Sequence, residues 1–300
     1  MSTTTSTRKE TLSNPFQPRQ SAHEVRRQFS NGLVIGLSVL FALFAAGVLV
    51  YLILYVMLQG IPYLNLNFFT KLPTANGEPG GGMGESVQGT LIMVGVASIF
   101  GIVLGLFTAI YLSEFGRGPL ANGIRFLVDL LNGVPTIIFG LFAWVLIVVP
   151  QQTFSGISGA MALAIIMIPI VARTSEDVLR LVPGELREAS LALGATEART
   201  IVRVVIPAAL RGIITGIFLA MARIAGETAP LLMTAFGTTF WNADLTQPMD
   251  ALTLRIFNFT LSPYQAQINL AYTGSFVLIV IILIASFAVR WVTGGFKRKF

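Results

Sequence analysis

Residues Glu185 to Pro207 read ELREASLALGATEARTIVRVVIP, a charged stretch inside a chain that is otherwise strongly apolar. Pro183-Gly184 before it favours a turn, and proline suits a helix start because the N–H it lacks has no partner there. Glu185 and Glu188 fall in the first turns, where negative charge meets the positive end of the helix dipole. Ala189, Leu191, Ala192 and Leu193 are strong helix formers. Gly194 then stops the helix, because glycine takes the left-handed conformation at C′ without steric cost. A second amphipathic run reaches Ile206, and Pro207 is expected to break it from the next segment. The stretch predicts two short helices at an angle, with small residues where another protein can approach.

The rest of the chain sets the class. Its 300 residues are 54% hydrophobic and 11% charged, with a mean hydropathy of +0.76. Soluble globular domains carry about 25% charged residues, so the composition predicts an all-α integral membrane protein. With no Cys there is no disulfide and no thiolate metal site. His23, the only histidine, lies in a polar tail, which excludes a zinc cluster and a Ser-His-Asp arrangement. No G-x-x-x-x-G-K-[ST] occurs, so the chain has no P-loop of its own. Neither a cofactor nor a nucleic-acid partner is indicated.

Taken in order, residues 1–30 read as a flexible polar tail, and residues 31–60 hold a first transmembrane helix. Its run from Leu33 to Leu58 is too long for the apolar core of a signal peptide and long enough to cross a bilayer core of roughly 30 Å. Residues 61–85 form an external loop ending in Glu78-Pro79-Gly80-Gly81-Gly82, expected to be flexible. The membrane core covers 86–293. Spans are expected near Val87–Leu112, Phe126–Val149, Ile157–Ala172, Ile213–Ala235 and Asn269–Val292. Gly101-x-x-x-Gly105 gives the second span a face that another helix can approach closely. Asn132-Gly133-Val134-Pro135 interrupts the third, Pro169 lies in the short fourth, and Asp129 stands one turn from Arg125 as an i,i+4 ion pair. Residues 236–268, with Trp241, Phe257, Phe259 and Pro263, form a second external segment.

Six spans follow, and charge fixes their orientation. Of 20 Lys and Arg, only Lys71 and Arg255 fall in external loops and Arg223 lies deep inside a span, which leaves 17 (20 − 2 − 1) on one side, Arg290 at the end of the last span among them. By the positive-inside rule both termini are cytoplasmic, including the basic tail 294–300, as is the loop 174–211 that contains the opening stretch.

Within that stretch, Glu188-Ala189-Ser190, three residues, Gly194, nine residues, then Val204-Val205-Ile206-Pro207 resembles the EAA loop (E-A-A, x3, G, x9, I, x, L, P) of permease subunits of binding-protein-dependent ABC importers. Ser190, Val204 and Ile206 replace the Ala, Ile and Leu of the pattern. Asn132 to Phe142 (NGVPTIIFGLF), Ile168 to Thr174 (IPIVART) and Ala222 to Pro230 (ARIAGETAP) look like stretches of the permeases of bacterial phosphate importers. The resemblance covers roughly residues 86–293. It implies the five-helix core of type I (MetI-like) importers plus an extra N-terminal helix, and a transporter subunit rather than an enzyme. It also implies a sister permease as heterodimer partner, an ATP-binding subunit dimer, an external phosphate-binding protein, and inorganic phosphate as cargo. On the same basis Glu188, Ala189 and Gly194 are the residues expected to couple to the ATPase.

Three charged residues are candidates for the pathway. Arg223 lies 12 residues after Arg211, so about 18 Å along a helix, and an Arg near mid-bilayer costs roughly 2.5–3.5 kcal/mol on insertion scales. Glu227 lies one turn on. Either the two form a self-contained pair, or Arg223 offers its donor fork to an oxyanion while Glu227 orients it and weakens the hold. The resemblance implies the second reading. Arg173, with Glu176 and Asp177 within a turn, is either an ordinary snorkelling side chain or a second translocation residue. Rival functions are a permease for sulfate, molybdate or phosphonate, a secondary transporter, which would need inverted repeats, and a purely structural membrane subunit.

Overall fold

The computed structural model describes residues 22–75 and 77–295. The polar tail before residue 22, the Lys297-Arg298-Lys299 end and the side chain of His23 lie outside the described residues. Contacts divide the chain after Leu54 into two units. The first is the leading part of helix α1 (Ala22–Gly60), whose side chains from Ser30 to Leu54 are all exposed. The helix begins at Ala22 rather than at residue 31, because Glu24, Arg26, Arg27 and Gln28 are good helix formers and nothing breaks the run.

The second unit, from Tyr55 onward, holds the remaining helices. A short helix α2 (Leu66–Thr70) is capped by Asn65, whose side chain accepts the Phe68 amide at 3.1 Å. Of the glycines expected to be flexible, Gly81 and Gly82 are instead packed, while Gly80 has open space around it. Gly82 donates to the Leu72 carbonyl at 3.1 Å, and a Cβ on it would lie 2.3 Å from the Asn67 carbonyl oxygen. Only glycine lets the loop lie this close to the end of α2.

Helix α3 (Gly84–Phe115) and helix α6 (Gly156–Arg180) form the central pair. On α3 the buried positions Gly89, Met93, Ala97, Gly101, Gly105 and Ala109 recur every fourth residue, so one narrow stripe faces inward. A Cβ on Gly101 would meet Met167 at 2.8 Å, and one on Gly105 would meet Val171 at 2.7 Å. The small-xxx-small face is therefore the seat of α6, in a medium where close packing takes over from the hydrophobic effect as the force that joins helices. α6 runs to Arg180, well past the expected end at Ala172. Pro169 is accommodated within it, and the Asn132 amide donates to the Pro169 carbonyl at 3.3 Å.

Two expected spans are interrupted. The third is α4 (Pro119–Gly133) followed by α5 (Thr136–Gln151), bent by 104° at Val134-Pro135. The fifth is α8 (Glu197–Ala225), a break at 226–228, and α9 (Ala229–Thr234). Proline causes both breaks, since neither Pro135 nor Pro230 can donate back to a preceding turn. Pro207 behaves differently and does not break α8. The turn Ile201–Val205 before it is widened to π geometry, which relieves the ring clash and the missing N–H. Helix α7 (Gly184–Ala192) precedes α8, α10 (Leu252–Thr260) lies in segment 236–268, and α11 (Gln265–Gly295) ends the described chain. Among the described residues five helices are long and apolar enough to cross a membrane, six spans if the bent pair counts as one. The loop 235–251 caps the start of α6, where the amides of Gly156 and Ile157 donate to the carbonyls of Gln247 and Leu245.

Candidate functional site: a cationic face and its coupling loop

Arg223 occupies the last turn of α8, where a cation meets the negative end of the helix dipole. Its nearest ionic partner among the described residues is Glu227 at 3.9 Å, beyond hydrogen-bond reach, and its side chain is 56% exposed. The expected pair thus exists only as a loose contact. Because the helix ends at Ala225, Glu227 stands in the break rather than on the same helix, and its carbonyl accepts the Thr253 hydroxyl at 2.9 Å.

Arg173 lies on α6, between Asp177 at 3.3 Å and Asp129 of α4 at 3.4 Å, and all three side chains are about half exposed. The expected Arg125–Asp129 pair does not form. Arg125 is drawn to Glu176 at 2.7 Å and to the Leu112 and Gly116 carbonyls at 2.6 and 3.2 Å, because the end of α3 offers it buried acceptors. Glu176, only 1% exposed, also takes Arg180 at 2.7 Å, so it is not a partner of Arg173.

The two candidate arginines lie on neighbouring antiparallel helices. Gly212 of α8 faces Val178 of α6, and Gly216 faces Thr174. Seven residues on from Gly216 is Arg223, and seven back from Thr174 is Met167, so these two are level. Arg173 is six residues (173 − 167) further along, about 9 Å of helix rise.

In the loop 174–211, Gly194 adopts φ +83°. The amide of Ala195 donates to Ser190 O at 3.2 Å and that of Gly194 to Leu191 O at 2.9 Å, the paired bonds of a Schellman stop. Glu188 and Ala189 are exposed on α7. Ser190 has its own role, since its hydroxyl meets Thr200 Oγ1 at 2.8 Å and ties α7 to the start of α8. Among the described residues no group of three or more His, Cys, Asp or Glu could hold a metal ion.

One charged cluster escaped the reading of the sequence. Arg255, assigned there to a loop, is buried and binds Asp250 at 2.8 Å, Glu85 at 3.5 Å and the Thr238 carbonyl at 2.6 Å. The Ser86 hydroxyl lies 2.5 Å from Asp250 and 3.1 Å from Glu85. This cluster fastens segment 236–268 to the start of α3. Its one visible signal was the spacing of Asp250 and Arg255 in an otherwise uncharged run; nothing pointed to Glu85, 165 residues (250 − 85) before Asp250.

A core of membrane-length helices, with a charged and exposed helical loop between two of them, is the architecture of a transporter permease. Residues 101–299 match the family model described as "Binding-protein-dependent transport system inner membrane component", and the chain belongs to that family. Among individual proteins it is 38% identical over 276 residues to the phosphate transport system permease protein PstA of Yersinia pestis, covering 92% of this chain and 93% of that one. It is 40% identical to PstA of Xylella fastidiosa, covering 88% and 93%. Among solved structures, the inward-facing MetNI methionine ABC transporter matches with a TM-score of 0.60 at 22% identity, covering 70% of this chain and 94% of that one. A bacterial alginate ABC transporter matches with a TM-score of 0.60 at 13% identity, covering 91% and 98%. These two likenesses establish the fold, a MetI-like ABC permease.

Proposed function

We propose that this chain is the permease subunit that passes inorganic phosphate through a bacterial ABC importer, using ATP hydrolysed by another subunit. The observation that carries the reading is similarity to PstA proteins along nine-tenths of the chain. Arg223 supplies the chemistry. Its guanidinium has no hydrogen-bonded carboxylate among the described residues, so its planar fork can take two oxygens of a phosphate. Glu227, at 3.9 Å, keeps the fork oriented without filling it, and its charge weakens the hold so that the anion leaves. Arg173 is the next cation, about 9 Å along the helix pair. There Asp129 and Asp177 compete with the anion and again prevent tight capture.

The assembly that fits is a heterodimer with a PstC-like sister permease, a PstB-like ATP-binding dimer at Glu188, Ala189 and Gly194, and a PstS-like external phosphate-binding protein, all within membrane lipid. The Lys and Arg distribution supports cytoplasmic termini, a cytoplasmic loop 174–211 and external segments at 61–85 and 236–268. Uptake of labelled phosphate by the assembled transporter, in competition with sulfate, molybdate and phosphonate, tests the reading. Selective phosphate uptake is expected, whereas uptake of another oxyanion in its place would reassign the cargo.

A further inference from the structure

We propose that Arg187 is the joint through which the coupling loop moves the helices that carry the anion, a positioning role that rests on the transport reading above. Helix α7 buries none of its residues. Among the described residues its side chains bond outward at two places: Ser190 holds Thr200 within the same loop, and Arg187 holds the body. Arg187 Nε and Nη2 grip the two carboxylate oxygens of Glu114 at 3.0 and 2.9 Å, a bidentate fork on the π turn that closes α3. Its Nη1 donates to the Val182 carbonyl at 2.6 Å and its Nη2 to the Leu179 carbonyl at 3.0 Å, where α6 ends. One guanidinium therefore joins α7 to the last turns of both α3 and α6. Those are the two helices locked together through Gly101 and Gly105, and α6 bears Arg173.

A cation that caps the orphan carbonyls of a helix end is the simpler reading. It accounts for Leu179 and Val182 but not for the fork on Glu114, 73 residues away in sequence. Beside the fork lies an open cleft lined by Phe115, Arg117, Leu191, Glu197 and Ile201, so no apolar packing duplicates the link there. Hydrogen bonding to Glu114 raises Arg187 above the usual arginine range, so the joint stays charged.

The test is the ratio of phosphate imported to ATP hydrolysed, in liposomes holding the complete transporter with its binding protein outside. Arg187→Lys keeps the charge but loses the fork, and Glu114→Gln leaves the caps on α6 while weakening the link to α3. Both are expected to hydrolyse ATP and to lose at least about fivefold in the ratio, the smallest common size of a coupling between sites. Wild-type ratios in both would overturn the proposal. So would a loss confined to Arg187→Lys, because that pattern belongs to a helix cap alone. Should either variant assemble poorly, Arg187→Cys/Glu114→Cys in this cysteine-free chain can be bridged with a bifunctional thiol reagent. Recovery of the ratio on bridging supports the joint, and no recovery overturns it. A wild-type transporter that imports no phosphate would instead sink the transport reading, which keeps the two failures apart.

Discussion

Gly140 lies so close to Pro230 that a Cβ built on the glycine would sit 2.6 Å from the proline Cα. The contact joins the two interrupted spans, because Gly140 is on α5 just past the bend at Pro135 and Pro230 opens α9 just past the break at Gly226. Two motifs read separately in the sequence, NGVPTIIFGLF and ARIAGETAP, thus meet at one point. Gly140→Val must push backbone against backbone, an overpacking that costs typically 1–3 kcal/mol. A lower thermal midpoint of the purified subunit is the expected outcome; an unchanged midpoint would mean that the two segments part freely.

Removing Arg255 leaves Asp250 and Glu85 buried without their cation. Breaking such a pair from one side costs about 3–5 kcal/mol, so Arg255→Met is expected to be severely destabilising. Burial also pushes the Asp250 carboxyl above the usual carboxylate range. A group raised in the folded state contributes stability that is present at low pH and lost as pH rises through its folded value. Thermal midpoints should therefore fall as pH rises above the ordinary Asp value of about 3.9, and Asp250→Asn should flatten that slope. A parallel slope in the variant would assign the effect to another group.

Gly194 holds a positive φ that costs other residues roughly 1–2 kcal/mol. Gly194→Pro and Glu188→Arg reshape the surface proposed to meet the ATPase while changing no residue of the membrane core. Normal insertion with uptake uncoupled from ATP hydrolysis is expected for both. Wild-type uptake at normal membrane levels would remove these residues from the coupling surface.

The coupling loop was the most legible part of the sequence because its signals are local. Pro183-Gly184 and Gly194 act through their own backbone geometry, and both appear where their chemistry places them. Pro207 misled because whether a proline breaks a helix depends on whether the turn before it can widen, and Ile201–Val205 does. Helix spacing was just as insufficient for charge partners. Arg125 and Asp129 have i,i+4 spacing, yet each finds a partner on α6, at Glu176 and Arg173. The cluster at Arg255 was barely legible, because Glu85 and Ser86 join Asp250 and Arg255 only through the packing of α3 against segment 236–268.

Topology is open to a direct check in this cysteine-free chain. A thiol at Thr196→Cys is expected to react only with reagent on the cytoplasmic side, and one at Glu78→Cys only from outside. The reverse pattern at either position would overturn the orientation.

The central claim is that Arg223 handles the anion rather than merely pairing with Glu227. A pair kept for packing can often be replaced by apolar groups at little or no loss. Glu227→Leu alone leaves an uncompensated cation under either reading and decides nothing. Arg223→Lys keeps the charge without the planar fork, so uptake should fall strongly despite near-normal assembly. The most direct measurement is phosphate uptake by the assembled transporter carrying Arg223→Leu/Glu227→Leu. The double variant is expected to assemble and not to transport; uptake near the wild-type rate would contradict the account and return Arg223 to a packing role.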